Sequence, residues 1–162
     1  MDIDCHSIQA DVASRVGRQV EMKSPRGKNG TMLQFYPWRA LSYPWREVHV
    51  EATPEKRMGQ GFSVHLDFVE HYTEEKASAE LRLARQMLVQ EAEANLERAS
   101  LIIGQEFSID PRPKRHFVVE QNRVVAYGDW ARDAKVAELI AHYITAFDPA
   151  VRAAASAGQR VI

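Results

Sequence analysis

The sequence has little cysteine and no long apolar run. Cys5 is the one cysteine among 162 residues, so an intramolecular disulfide is excluded and a reducing, cytoplasmic setting is expected. No stretch approaches the roughly 20 apolar residues that are needed to span a bilayer. The first residues, Met1-Asp2-Ile3-Asp4, are acidic where a secretory signal peptide is basic. We therefore expect neither a membrane span nor a signal peptide.

Several catalytic signatures are also missing. The chain contains no Gly-x-Ser-x-Gly elbow, no His-Glu-x-x-His or Cys-x-x-Cys pair, and no dinucleotide-binding glycine fingerprint. What is present is ordinary globular composition, 45% hydrophobic and 27% charged, with no low-complexity linker. These features predict a single domain over 1–162 that is large enough to bury a core. They favour a non-enzymatic protein without a cofactor.

Hydrophobic periodicity predicts a mixed α+β domain. Apolar residues at three-and-four spacing indicate helices, and alternating apolar residues indicate strands. The predicted elements are a helix over 4–18, strands over 19–23, 31–36, 47–52 and 62–69, a helix over 73–104, strands over 115–120 and 123–127, a helix over 129–147 that Asp148-Pro149 ends, and a short helix over 150–157.

This order, α-ββββ-α-ββ-α, fits a mostly antiparallel sheet with helices on one face, because the strands follow one another as hairpins. The helix over 73–104 would be about 45 Å long at 1.5 Å per residue. That length spans a small domain, so the helix either crosses the whole sheet or meets a partner, which includes a second copy of the chain.

A tetrapeptide occurs twice, as Tyr36-Pro37-Trp38-Arg39 and Tyr43-Pro44-Trp45-Arg46. Tyrosine, tryptophan and arginine are enriched at binding hot spots, and they also stack on bases and grip phosphate. The alternative is that both tryptophans are core anchors with their polar atoms directed outward. The predicted partner-binding residues are Tyr36, Trp38, Arg39, Tyr43, Trp45 and Arg46.

Histidines and carboxylates alternate along two predicted strands. If 47–52 and 62–70 pair around a centre near Arg57, His49 lies opposite His65, and Glu51 and Asp67 share their face. Such a group binds a divalent metal or acts as a general acid–base pair. The alternative is a solvated polar sheet face, and a register slip of one residue would disperse the group.

Basic residues concentrate in the N-terminal part of a nearly neutral chain. The net charge is −1, yet residues 1–46 hold seven Lys/Arg against four Asp/Glu. A basic patch of this kind can contact phosphate, and the alternative is a solvated hairpin tip. The predicted nucleic-acid-binding residues are Arg15, Arg18, Lys23, Arg26 and Lys28.

The tail carries a resemblance. Tyr127-Gly128-Asp129-Trp130, followed by Ala146-Phe147-Asp148-Pro149-Ala150-Val151-Arg152, resembles the end of an uncharacterised domain that accompanies restriction-endonuclease-like proteins of bacteria and phages. The resemblance implies a defence or nucleic-acid context and carries over no catalytic residue.

These observations predict a non-enzymatic binding module that acts through a protein partner or by self-association as a homodimer. The first alternative is a nucleic-acid-binding accessory protein that uses the basic N-terminal hairpin. The second alternative is a metal-dependent enzyme whose site is the His49, Glu51, His65 and Asp67 face.

Overall fold

The computed structural model describes residues 4–55, 60–68, 79–94, 107–108, 117–120, 123–126 and 129–160. Its helices are α1 (Cys5–Val16), α2 (Ala79–Ala94) and α3 (Val136–Arg160). Its strands are β1 (Glu21–Lys23), β2 (Arg26–Gly27), β3 (Gly30–Thr31), β4 (Leu33–Tyr36), β5 (His49–Pro54), β6 (Gly61–Asp67), β7 (Phe107–Ser108), β8 (Phe117–Glu120), β9 (Arg123–Ala126) and β10 (Asp129–Arg132). Short 3-10 turns lie at Trp45–Glu47 and Asp133–Lys135.

The strands form one main sheet and a small separate ribbon. Strands β1, β4, β5 and β6 are successive neighbours, and the other edge of β6 holds β10 and β9. Strand β10 also pairs with β7, β9 pairs with β8, and β2–β3 is the separate ribbon. Each of these pairings is antiparallel, which confirms the predicted sheet type and the α+β class.

The core lies between the sheet and the helices. Helix α3 packs against α1, α2, β5 and β6. Alternation along β5 directs Val50 and Ala52 into this core, where both are completely buried. Val64 and Leu66 of β6 are buried in the same core. Complete burial of a valine or leucine side chain stabilises a fold by roughly 1.5–3 kcal/mol.

The C-terminal helix differs from its prediction at both ends. Residues Asp129–Arg132 form strand β10, because Trp130 pairs with Ser63 on β6 and its ring is buried. Asp148-Pro149 does not end the helix, which continues to Arg160. Proline removes one hydrogen bond to the carbonyl of Thr145. Thr145 and Pro149 both lie on the exposed side, while the opposite side of the helix packs in the core, so the helix continues.

The other predicted elements agree in place where they are described, except that the strand predicted over 31–36 is divided at Met32 between β3 and β4. Strands β8 and β9 form the predicted second hairpin. Helix α2 confirms the central part of the helix predicted over 73–104, and the remainder of that range lies outside the described residues. Among the described helices, none combines the length and apolar character that a bilayer crossing requires.

Candidate metal centre

The β5–β6 register brings two histidines and two carboxylates together. His49 lies opposite Asp67, and Glu51 lies opposite His65. The predicted pairing of His49 with His65 is therefore wrong by two residues. Because side chains alternate with a period of two, this shift leaves all four on the face that was predicted.

The side-chain atoms of this cluster are close to one another. His65 Nε2 lies 2.8 Å from Glu51 Oε2 and 3.4 Å from Asp67 Oδ1. His49 Nε2 lies 3.4 Å from Asp67 Oδ2 and 3.9 Å from Glu51 Oε1. Both imidazoles thus direct Nε2 toward both carboxylates.

The cluster is buried, which overturns the alternative of a solvated sheet face. His49 is fully buried, and Glu51 and Asp67 are more than nine-tenths buried. The side chain of His65 is 16% exposed and is the most accessible of the four. Charged groups in such surroundings require partners, because burial removes the water that would solvate them.

Strand β4 supplies a second layer of contacts. The Gln34 side-chain amide donates a 2.7 Å hydrogen bond to Glu51 Oε1, and the Tyr36 hydroxyl donates to Gln34 Oε1 at 3.3 Å. The Tyr36 ring stacks on His49 with 4.8 Å between centroids. Sequence reasoning missed Gln34. The signal was its alternation with Leu33 and Phe35, which places it on the face opposite the core.

One nitrogen of His49 has an assigned role and the other does not. Nδ1 lies 2.9 Å from the backbone oxygen of Glu47. A carbonyl oxygen only accepts hydrogen bonds, so Nδ1 carries a hydrogen and donates it. Nε2 is buried and lacks a hydrogen-bond partner among the described residues, and so does Asp67 Oδ1. The 3.4 Å contacts of these two atoms are long for hydrogen bonds.

The carboxylates keep their charge despite burial. Burial raises the pKa of Asp67, but the contacts from His49 and His65 outweigh it and hold that pKa well below its usual value. Burial likewise raises the pKa of Glu51, but the hydrogen bonds from His65 and Gln34 outweigh this effect and bring the pKa below its ordinary value. Both side chains are therefore anionic at neutral pH.

His65 is the cation that these carboxylates hold. Burial lowers the pKa of His65, but its contacts with the carboxylates of Asp67 and Glu51, and the negative charges of both, raise this pKa to about 9. In the absence of a metal, a positive imidazole therefore lies between two negative carboxylates at neutral pH.

Arg39 covers the outer side of the cluster. Its guanidinium carbon lies 4.0 Å from the centroid of the Tyr36 ring. It forms ion pairs with Glu21 at 2.6 Å and with Glu47 at 3.3 Å. Lys23 Nζ lies 5.0 Å from the same ring centroid. The first Tyr-Pro-Trp-Arg segment thus forms part of the wall of this site.

The two tryptophans of the repeated tetrapeptide are core residues. Trp38 is buried and donates from its indole nitrogen to Asp148 Oδ1 at 2.9 Å. Trp45 is buried and packs edge-on against Phe68, with 6.0 Å between the ring centroids. This is the alternative in which both are core anchors. Two more of the six predicted partner-binding residues are occupied within the fold, because Tyr36 is buried and Arg39 is ion-paired with Glu21 and Glu47. Partner binding stays a prediction for the exposed Tyr43 and Arg46.

The predicted nucleic-acid-binding residues lie on two elements. Arg15, at the end of α1, pairs with Asp11 at 2.8 Å, and Arg18 lies 3.9 Å from Asp148. Lys23, Arg26 and Lys28 are exposed on β1, β2 and the tip of the β2–β3 ribbon. Nucleic-acid binding stays a prediction, with these last three as its available cations.

The donor set has the chemistry of a divalent-metal site. One ligand atom from each of His49, Glu51 and Asp67 lies within 4.8 Å of the others. Two ligands bound at 2.0–2.2 Å to a tetrahedral ion are about 3.4 Å apart, which is the separation of His49 Nε2 and Asp67 Oδ2. An imidazole with two carboxylates suits zinc, manganese or iron.

No family model matches the chain, and neither a curated protein nor a solved structure matches it. The function is therefore inferred from the geometry of the His49, Glu51 and Asp67 site.

Proposed function

We propose that the chain binds one divalent transition-metal ion through His49 Nε2 and the carboxylates of Glu51 and Asp67. The observation that carries this proposal is the state of His49. Its Nε2 is completely buried, points at two carboxylates and has no hydrogen-bond partner among the described residues.

A bound cation resolves the electrostatics of this arrangement. A buried nitrogen without a partner destabilises a protein by about 1–3 kcal/mol, and two adjacent buried carboxylates repel each other. A divalent ion accepts the nitrogen lone pair and neutralises both carboxylates. The hydrogen bond from His49 Nδ1 to the Glu47 carbonyl supports this role, because it fixes the ring and leaves Nε2 for the metal.

The surrounding residues fit the outer shell of a metal site. Gln34 and His65 each donate to a carboxylate oxygen of Glu51, which orients that carboxylate. Metal sites depend on such contacts, and their loss lowers affinity by about 10–100-fold. The imidazole ligand favours a transition metal over magnesium or calcium, which prefer all-oxygen sites.

The test is metal titration of chelator-treated protein. Isothermal titration with Zn²⁺ and Co²⁺ should give one site per chain. His49→Gln removes a ligand, so it should weaken binding by more than the roughly 10–100-fold that loss of an outer-shell contact costs. His6→Gln is the matched control, since His6 is exposed on α1 away from the cluster. Asp67→Asn provides a second ligand variant, and circular dichroism checks that each variant is folded.

Two results would contradict the proposal. The first is folded wild-type protein that takes up no stoichiometric metal. The second is equal metal affinity of wild type, His49→Gln and Asp67→Asn. Either outcome would return the cluster to the general acid–base alternative, with His65 as the proton carrier.

A protein-binding role is the second candidate. Tyr43 is 55% exposed and Arg46 is exposed beside it, so both are accessible to a partner or to a second copy of the chain. Tyr43→Ala with Arg46→Ala should abolish such an interaction without unfolding the protein. The setting that we propose is the cytoplasm of a bacterial cell, including one infected by a phage.

Nucleic-acid binding is a third candidate, supported by the exposed Lys23, Arg26 and Lys28. It predicts affinity for short duplexes or single strands that falls steeply as salt rises. Binding that is absent or independent of salt would remove it.

A further inference from the structure

The segment between β4 and β5 contacts the proposed metal ligand His49. His49 Nδ1 donates to the backbone oxygen of Glu47 at 2.9 Å, and Glu47 ends the 3-10 turn Trp45–Glu47. Tyr43 and Arg46, the two exposed side chains of the second tetrapeptide, lie in this same segment. One nitrogen of His49 is thus aimed at the carboxylates, and the other holds the backbone that presents Tyr43 and Arg46.

Arg39 connects this segment to the other side of His49. Its Nη1 donates to the backbone oxygen of Arg46 at 3.1 Å and lies 3.3 Å from the Glu47 carboxylate. Its guanidinium also lies over the Tyr36 ring, and that ring stacks on the His49 imidazole. His49 is therefore held from two sides, by the Tyr36 ring and by the Glu47 oxygen, and Arg39 contacts both supporting residues.

The backbone next to His49 is a small hydrogen-bonded unit. The amides of Arg46, Glu47 and Val48 donate to the backbone oxygens of Ser42, Pro44 and Trp45, respectively, at 3.0–3.2 Å. Because the carbonyl of Glu47 is bonded to His49, an opening that moves this unit also breaks that bond. Hydrogen exchange at these three amides therefore reports how firmly His49 holds the segment.

Resting on the proposed metal site, we propose that a metal on His49 Nε2 tightens segment 39–47 and thereby controls how firmly Tyr43 and Arg46 are presented. A metal withdraws electron density from the imidazole, so Nδ1 becomes a stronger donor to the Glu47 oxygen. It also fixes the ring against which the segment rests. A segment held in this way loses less conformational entropy when a partner contacts its side chains.

Such coupling between two sites is reciprocal. If the metal stabilises segment 39–47, the contacts that hold this segment must in turn raise the affinity for the metal. The inference therefore makes one prediction about the segment and a second about the metal site.

The first experiment measures amide exchange of the full chain by NMR, with Zn²⁺ or with a chelator. Zinc should slow exchange at Arg46, Glu47 and Val48 by about 5-fold or more, a factor typical of coupled sites. Helix α1 is the internal control, because it packs against α3 on the core side of the sheet. Only amides whose exchange is insensitive to dilute urea are compared, since these exchange through local opening.

The second experiment measures zinc affinity by isothermal titration. Arg39→Gln removes the contacts with Arg46 and Glu47, so it should weaken zinc binding by about 5-fold or more. Arg15→Gln is the matched control, because it also removes an arginine–carboxylate pair, with Asp11 on α1. It should bind zinc as wild type does. Circular dichroism confirms that both variants are folded, so that a loss of stability alone does not lower the measured affinity.

The outcomes separate this inference from the metal site itself. Failure of the wild type to bind zinc would refute the proposed function and this inference together. Zinc binding that slows the three amides no more than those of α1 would overturn this inference alone. So would exchange of the three amides only through global unfolding of the metal-free protein, because the segment would then be fixed without a metal. Equal zinc affinities of Arg39→Gln and Arg15→Gln would overturn the reciprocal coupling.

Discussion

The Tyr36 ring stacks on the imidazole of His49, with 4.8 Å between centroids, and Arg39 covers the Tyr36 ring at 4.0 Å. This contact joins two features that are separate in the sequence, the Tyr-Pro-Trp-Arg segment and the histidine–carboxylate cluster. Arg39 in turn pairs with Glu47, whose backbone oxygen accepts from His49. The orientation of His49 therefore depends on strand β4 as well as on its own strand.

Two substitutions of Tyr36 should distinguish the contribution of its ring to stability from that of its hydroxyl. Tyr36→Phe removes the hydroxyl that donates to Gln34 and should lower the free energy of unfolding by about 0.5–1.5 kcal/mol. Tyr36→Ala removes the buried ring that supports His49 and should lower it by about 3–5 kcal/mol. Urea denaturation measures both values. Equal losses in the two variants would mean that the ring adds no packing stability.

Substitution of the tryptophans should destabilise the fold rather than only weaken an interaction with a partner. Trp38→Ala and Trp45→Ala each remove a buried indole and should each lower the free energy of unfolding by about 3–5 kcal/mol. Trp38→Phe, which loses the hydrogen bond to Asp148, should lose less. Thermal unfolding followed by circular dichroism measures the effect. A double alanine variant with wild-type stability would show that the two rings are not core anchors.

The metal-free protein should lose stability as the solution becomes alkaline. The pKa of His65 rises from 6.5 to about 9 on folding, so its contribution is complete below pH 6.5 and is lost as pH rises through about 9. The pKa of Asp67 is lowered from 3.8, so its contribution is present above that pH and is lost in acid. The metal-free protein should therefore be most stable between pH 3.8 and pH 6.5, where both contributions are present.

Urea midpoints measured in a chelator between pH 6 and 10 test the alkaline decline. His65→Gln is the control, because glutamine retains an amide donor but does not titrate. Its midpoint should change little between pH 7 and 9. A wild-type midpoint that does not fall over this range would be inconsistent with an ion-paired His65.

Gly61 should tolerate no side chain. A Cβ atom at this position would overlap the indole of Trp130 and lie 2.5 Å from the backbone oxygen of Ala131, where β6 and β10 pair. Gly61→Ala should therefore destabilise the protein by more than Gly17→Ala. Gly17 has a left-handed φ of 86° but open space around it, so alanine there should lower stability by about 1–2 kcal/mol. Chemical denaturation of both variants gives the comparison, and the reverse order would contradict this packing.

The alternation of residue types along two strands determined which side chains share a face. Val50 and Ala52 alternate with His49 and Glu51, so one set enters the core and the other faces away from it. The same parity groups His65 with Asp67, and a register error of two residues does not change it. The antiparallel hairpins and the α+β class followed from the same local patterns.

Tertiary structure decided the register of β5 and β6, the burial of the histidine–carboxylate cluster and the contacts that β4 makes with it. The pairing of His49 with Asp67 depends on contacts along the whole β5–β6 ladder and with β4. Burial of the polar face depends on Arg39 and Tyr36, which come from a segment that precedes β5. Helix α3 continues through Pro149 because core packing on one side outweighs one lost hydrogen bond on the exposed side. Local sequence carries periodicity, whereas these features depend on which distant residues pack together.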